Sequence, residues 1–232
     1  MKKNLILYGL FLSLLSFLIL GCSSNKSIQT ADKQNIIDVE IKNLGKGINS
    51  EYNDYSLDIS YDSKIAYFTS DRVTRTKTKD DDDLWFSIRN DSGWDAAQNL
   101  GNSINTEKYY EFGGDGSPSI TSDGKLLYFA SSREDVFGNV DLYSAEFVDG
   151  KWTNVKNMGN KINSSRFDSH PSVSPDGKVL YFSSDRPGGV GGLDIWYAVK
   201  DENGNWSEPI NLGKPINTEK DESSPYISAD GI

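Results

Sequence analysis

Two short blocks of sequence recur along this chain, in phase with each other, and they restrict the fold more than any other feature. The first reads SPSITSDGKLLYFASSR at Ser117 to Arg133 and HPSVSPDGKVLYFSSDR at His170 to Arg186. A more divergent copy, YSLDISYDSKIAYFTSDR, runs from Tyr55 to Arg72, and SPYISADGI opens another at Ser224. Aligned on the turn residues Asp62, Asp123, Asp176 and Asp230, the copies are 61, 53 and 54 residues apart. The second block reads NLGKGINSE from Asn43, NLGNSINTE from Asn99, NMGNKINSS from Asn157 and NLGKPINTE from Asn211. Self-similarity at such a period marks a repeat architecture, in which each unit buries its apolar face only against its neighbours.

Within one unit the pattern is all strand. Pro171 to Ser174 alternates, Asp176-Gly177 turns, and Val179 to Ser183 is rich in Val, Leu, Tyr and Phe. A Gly-rich loop then leads to Leu193 to Val199, and a further turn at Asp201 to Gly204 precedes Trp206 to Asn211. Short β-rich runs between Asp-Gly and Gly-rich turns predict consecutive antiparallel strands. Four strands per unit at this spacing predict an all-β fold of four-stranded antiparallel β-propeller blades. The units run near 43–100, 101–158 and 159–212, so the expectation is about three blades plus the start of another. Propellers close with more blades than that, so the expected form is an incomplete, open arc belonging to a truncated part of a larger protein.

The repeated unit resembles the WD40-like β-propeller repeat of exported bacterial proteins. TolB-type propellers carry it, as do lipoproteins that join such a propeller to an OmpA-like peptidoglycan-binding domain. The resemblance covers residues 42–232 and implies the fold; it does not imply one activity, because propellers host many.

The repeated residues have physical roles. Gly in the Asp-Gly turns supplies positive φ, and Ser63 in its place predicts a turn of another type or a strained one. The pairs Tyr67-Phe68, Tyr128-Phe129 and Tyr181-Phe182 should be buried on both faces of inner strands, because neighbouring blades cover each face. Charges repeat too: Arg72 and Asp83, Arg133 and Asp141, and Arg186 and Asp194 each flank a hairpin. They are expected to pair and to set strand register as buried guanidinium-carboxylate contacts.

The N-terminus predicts export. Lys2 and Lys3 precede an apolar stretch from Leu5 to Leu20, followed by Gly21, Cys22 and a polar run. These features describe a signal peptide over 1–21. The site resembles a lipobox, with bulky Leu20 a departure from it, and this resemblance implies lipidation of Cys22. A polar, aperiodic stretch over 22–40 reads as a tether, and 41–232 as the partial propeller. Cys22 is the single cysteine, so no internal disulfide is possible. The expected location is the cell envelope, lipid-anchored. Ser23 after Cys22 favours the outer membrane if sorting resembles the enterobacterial rule.

Net charge is −10, and −12 once Lys2 and Lys3 are removed, from 22 basic and 34 acidic residues. Such a surface repels phosphate backbones and argues against a nucleic-acid partner. No G-x-S-x-G or H-E-x-x-H pattern occurs, and the only histidine, His170, fills the place of Ser117 and Ser224. No cofactor and no enzyme is expected. The acidic run at 80–83 lacks calcium-loop spacing, so no metal is expected either. The expected function is a protein- or glycan-binding module, with an envelope protein or peptidoglycan as partner. The alternative is the non-catalytic propeller half of an exported hydrolase of the prolyl-oligopeptidase-like kind.

Overall fold

The computed structural model describes residues 40–73, 82–106, 114–228 and 230. The expected signal peptide, the lipidation site Cys22, nearly all of the tether and the first half of the acidic run lie outside these residues. The chain divides into two units, Met1–Asn43 and Leu44–Ile232. In the first, Lys42 pairs with Glu40 at 2.9 Å on an exposed surface.

In the second unit, thirteen strands among the described residues form three antiparallel sheets. The first contains β1 (Asp54–Ile59), β2 (Ile65–Ser70) and β3 (Asp83–Asn90). Its outer edge is shared by β4 (Gly93–Trp94) and β5 (Gln98–Asn99), both paired to β3. The second runs β6 (Asp115–Ile120), β7 (Leu126–Ser131), β8 (Asp141–Val148) and β9 (Lys151–Asn157). The third runs β10 (Asp168–Val173), β11 (Val179–Ser184), β12 (Asp194–Val199) and β13 (Ile210–Asn211). Each sheet is an up-and-down meander in sequence order, and its first strand packs on the first strand of the next sheet. These are β-propeller blades in an open succession of three, and Ser224 to Ser228 lies along the third as the beginning of another.

The fourth strand departs from expectation. It is long only in the second blade; in the third it shrinks to two residues. Pro209 has no N–H to give to the ladder, so pairing resumes only at Ile210. Trp206 keeps a single bridge, to Lys200.

The core lies between blades. Tyr67, Leu84, Ile104, Leu127, Phe129 and Tyr143 form the seam of the first and second blades. Tyr128, Leu142, Ile162, Leu180, Phe182 and Trp196 form the seam of the second and third. Because successive side chains of a strand face opposite ways, Tyr128 enters one seam and Phe129 the other. Burying each such aromatic contributes about 2–3 kcal/mol. Tyr181 is the exception. It is half-buried on the far side of the third blade, against Tyr197 with ring centroids 6.0 Å apart.

The second repeated block is the connector between blades, and its recurring asparagines each have bonds to make. Asn157 accepts from Gly159 N–H at 2.8 Å, which folds a turn. That turn delivers Asn163 to the blade just completed, where its amide accepts from Leu142 N–H at 2.8 Å and donates to Leu142 C=O at 2.9 Å. The side chain thus acts as a one-residue strand partner. Asn105 does the same to Leu84, and Asn217 to Ile195.

The Asp-Gly turns form as expected, with Gly124 at φ +68° and Gly177 at +69°. Ser63 adopts the same conformation, φ +59°, so its turn is of the sister type and strained. Ser63→Gly is expected to stabilise the protein by about 0.5–1 kcal/mol, the relief of left-handed strain less the added freedom of the unfolded chain. Asn163→Ala leaves buried Leu142 N–H and C=O unpaired and is expected to cost about 3 kcal/mol. Urea unfolding midpoints measure both.

Candidate functional site

The six charged residues singled out in the sequence are all in the described part, but they do not pair as expected. Arg72 bonds Asp54 at 2.8 Å, Arg133 bonds Asp115, and Arg186 bonds Asp168 at 2.5 Å. Each of these aspartates lies eighteen residues before its arginine, at the start of the innermost strand. The expected partners take other donors. Asp141 accepts from Phe137 N–H at 2.8 Å and from Asn157 Nδ2 at 2.7 Å. Asp194 accepts from Val190 and Gly191 N–H and from Asn211, and Asp83 accepts from Asn99 at 2.8 Å.

The register explains the correction. Ser131 is directly opposite Asp115 on one side and Asp141 on the other, so both aspartates flank the strand end from which Arg133 departs. The loop's own amides occupy the outer carboxylate, and the arginine turns to the inner one. There its guanidinium lies over Phe129 and Tyr143, 5.3 and 4.7 Å from the ring centroids, and also donates to the Ile104 carbonyl at 2.9 Å. The network is structural: it ties a blade to the connector that enters it. Burial pushes the Asp54 carboxyl up, but hydrogen bonds from Ser70 and Ser50, with Arg72, hold it below its ordinary value.

A different set of residues gathers at the axis, where the innermost strands converge. The register of β1 on β2 slips between Tyr55 and Asp58, that of β6 on β7 between Gly116 and Ser119, and that of β10 on β11 between Ser169 and Ser172. Each slip is a bulge, and in each a non-glycine residue has positive φ: Ser56 at +49°, Ser117 at +52° and His170 at +50°. Ser224 repeats it at +55°. Such residues cost of order 1–3 kcal/mol each, and bulges re-aim the side chain they carry. Here all four line one cleft of about 190 Å³, together with Asp58, Ser119, Ser172, Tyr61 and Tyr226.

Each innermost strand after the first is joined to the preceding blade by side chains. Ser117 N–H donates to Thr69 Oγ1 at 2.8 Å, Ile120 N–H to Asp58 Oδ2 at 2.9 Å and Val173 N–H to Ser119 Oγ at 3.0 Å. Ile227 N–H donates to Ser172 Oγ at 3.0 Å in the same way. Asp58 thus stands where the sister blades use serine. Ser56 and Ser117 hydroxyls approach to 3.5 Å. Among the described lining residues none is Lys or Arg. The cleft therefore offers hydroxyls, one carboxylate and one imidazole to a neutral or cationic polar group, and little to a phosphate. Burial pushes the Asp58 carboxyl above its ordinary range and pulls His170 below its own, which favours neutral imidazole. The sequence hinted at this set only through the repeated Ser-Pro and His-Pro pairs; the left-handed backbone that aims them is set by the bulge.

No family model matches the chain, and no curated protein matches it. Solved structures similar to it include the β-propeller domain of the Trilobed protease from Pyrococcus furiosus, at 12% identity and TM-score 0.42 over 71% of this chain and 44% of that one. A putative 6-phosphogluconolactonase from Bacteroides uniformis is similar at 13% identity and TM-score 0.42, over 85% of this chain and 49% of that one. A puromycin-hydrolyzing peptidase from Mycobacterium tuberculosis is similar at 15% identity and TM-score 0.41, over 70% and 23%. The chain spans less than half the length of each of these. Its assignment as propeller blades stands on the strand orders and seams described above.

The raised carboxyl at Asp58 has a pH consequence. Between the ordinary carboxylate value and the raised one the native state binds more protons than the unfolded chain, so stability falls as pH rises through that interval. Asp58→Asn keeps the acceptor for Ile120 without the charge. It is expected to be more stable than the parent at neutral pH, with the gain shrinking towards about pH 4; urea midpoints at the two pH values check this.

Proposed function

We propose that this chain is a lipid-anchored β-propeller module of the cell envelope, built of TolB-type repeats. It is held to a membrane, the outer one by the residue after Cys22, through acyl chains on that cysteine. It binds a protein or glycan partner without catalysing a reaction on it. The observation that carries the binding reading is the convergence of Ser56, Ser117, His170 and Ser224 on one cleft, each held at positive φ. Strained backbone repeated at equivalent positions and pointed at one space supports a role in contact. Anchoring is supported by the basic start, the short apolar stretch and Cys22 directly after Gly21.

Metabolic labelling with a radioactive fatty acid should mark the parent protein. Cys22→Ser should lose the label and move from the membrane to the soluble fraction, and a variant that stayed with the membrane would overturn the anchoring half. For the binding half, the protein should co-sediment with purified peptidoglycan. Ser117→Asn adds bulk to the cleft in a residue that tolerates positive φ, and should weaken this by about tenfold, equivalent to 1.4 kcal/mol. Equal sedimentation of parent and variant would show that the cleft is not the contact.

A further inference from the structure

The two seams between blades are built alike except at one place, where one is apolar and the other is cationic. In the seam of the first and second blades, Tyr67 meets Trp152 edge-on, with ring centroids 6.1 Å apart at 77°. Phe147 covers Trp152 at 5.0 Å. The seam of the second and third blades repeats the pair as Tyr128 and Trp206, 6.1 Å apart at 76°. Here Lys200 stands in the place of Phe147. It follows Ala198 by two residues as Phe147 follows Ala145, and it bridges Trp206 as Phe147 bridges Trp152. Its ammonium lies 4.5 Å from the Trp206 centroid and donates to the Tyr128 hydroxyl oxygen at 3.2 Å.

Two neighbouring positions change in the same sense. Tyr67, Phe86 and Gln98 stand opposite one another across β2, β3 and β5. The corresponding row across β7, β8 and β9 is Tyr128, Ser144 and Lys156. Residues directly opposite share a face, so all three of the latter turn towards the third blade. Phe86 packs into its seam, whereas Ser144 leaves a hydroxyl without a partner among the described residues.

Donors therefore gather here without acceptors. Among the described residues, neither Lys156 nor Lys200 is in an ion pair. The nearby carboxylates are bonded within their own turns: Asp201 accepts from Asn203 and Asn205 N–H, and Glu146 accepts from Asn154 Nδ2 at 2.8 Å. Tyr128 accepts from Lys200, and its own O–H proton has no acceptor among the described residues. Burial, and then the charge of Lys156, pull the Lys200 amine below its ordinary value. Lys156 is exposed and Trp206 half-buried, so the place is open to solvent.

We propose that Lys156, Lys200 and the Tyr128 and Ser144 hydroxyls form a binding site for an oxyanion group, a carboxylate or a phosphate, carried by an acidic partner. The two ammonium groups supply the charge and the hydroxyls direct the oxygens. In a chain of net charge −10, two uncompensated lysines make a local field of the opposite sign that draws an anion to this seam. The sister seam, filled by Phe147 and Phe86, has no such site. The site is separate from the axial cleft and independent of what that cleft binds.

Acetate and inorganic phosphate, titrated separately into the ¹⁵N-labelled full chain at constant pH and ionic strength, test this through the indole N–H signals of Trp206 and Trp152. A saturable shift at Trp206 is expected with at least one anion, with Trp152 unmoved. Tighter binding of acetate identifies a carboxylate as the group, and tighter binding of phosphate a phosphoryl group. Lys156→Gln changes an exposed side chain and should weaken binding about tenfold, as for loss of a charge-assisted bond. Lys200→Phe restores the packing of the sister seam; it should keep at least the parent's urea midpoint and lose the saturable response. No saturable shift with either anion, equal movement of both indoles, or unchanged binding by Lys156→Gln would overturn the proposal.

Discussion

One guanidinium per blade holds this structure in register. Arg133 rests on two aromatic rings of its own blade, bonds the carboxylate of Asp115 and reaches the carbonyl of Ile104 in the connector. Three segments distant in sequence meet at one planar group with fixed donor directions. Arg72 and Arg186 repeat the arrangement. A lysine has the charge and lacks the fork, so it could not bond all these acceptors with one rigid geometry. Buried ion pairs of this kind contribute more to specifying an arrangement than to net stability. That suits an architecture whose seams are otherwise non-directional apolar contacts.

The connector works from the other side of the same joint. Its asparagine clamps the third strand of the blade just finished, and the preceding isoleucine enters the seam and presents its carbonyl to the next arginine. Adjacent residues of one dipeptide therefore serve different blades. Ile-Asn at this place admits few replacements: aspartate could accept but not donate, and alanine at the isoleucine would open a cavity at the seam. The connector's local turn places this dipeptide, so a short piece of chain governs how whole sheets meet.

At the axis the logic differs. Innermost strands approach one another without a backbone ladder, and bonds from Asp58, Ser119 and Ser172 to the following strand's N–H groups fill that role. Bulges take the chain out of the regular pleat and place Ser56, Ser117, His170 and Ser224 in the left-handed region. Strain accepted there is offset by the aromatic seams farther out. The rigid seams and the strained rim occupy different radii of the same blades, which lets the rim residue vary, as His170 does among serines, while the seam residues stay alike.

Much of this was legible from residue order. Phase-locked repeats, Asp-Gly turns and paired aromatics specify four-stranded blades, because strand period, turn chemistry and two-sided burial are local properties of a few consecutive residues. The aromatic reading holds at Tyr67-Phe68 and Tyr128-Phe129 and fails only at Tyr181, whose covering surface is not a local matter. The arginine partners were not legible in this way. Asp115 and Asp141 both stand opposite Ser131, so proximity along the chain favoured the nearer one, Asp141, while the loop's amides decided for Asp115. The axial set was equally hidden, since positive φ at Ser117 arises from a register slip between two strands. Local sequence determined what each blade is; which carboxylate an arginine holds, and which side chains face the axis, depended on donors and backbone brought together only when strands pair and blades stack.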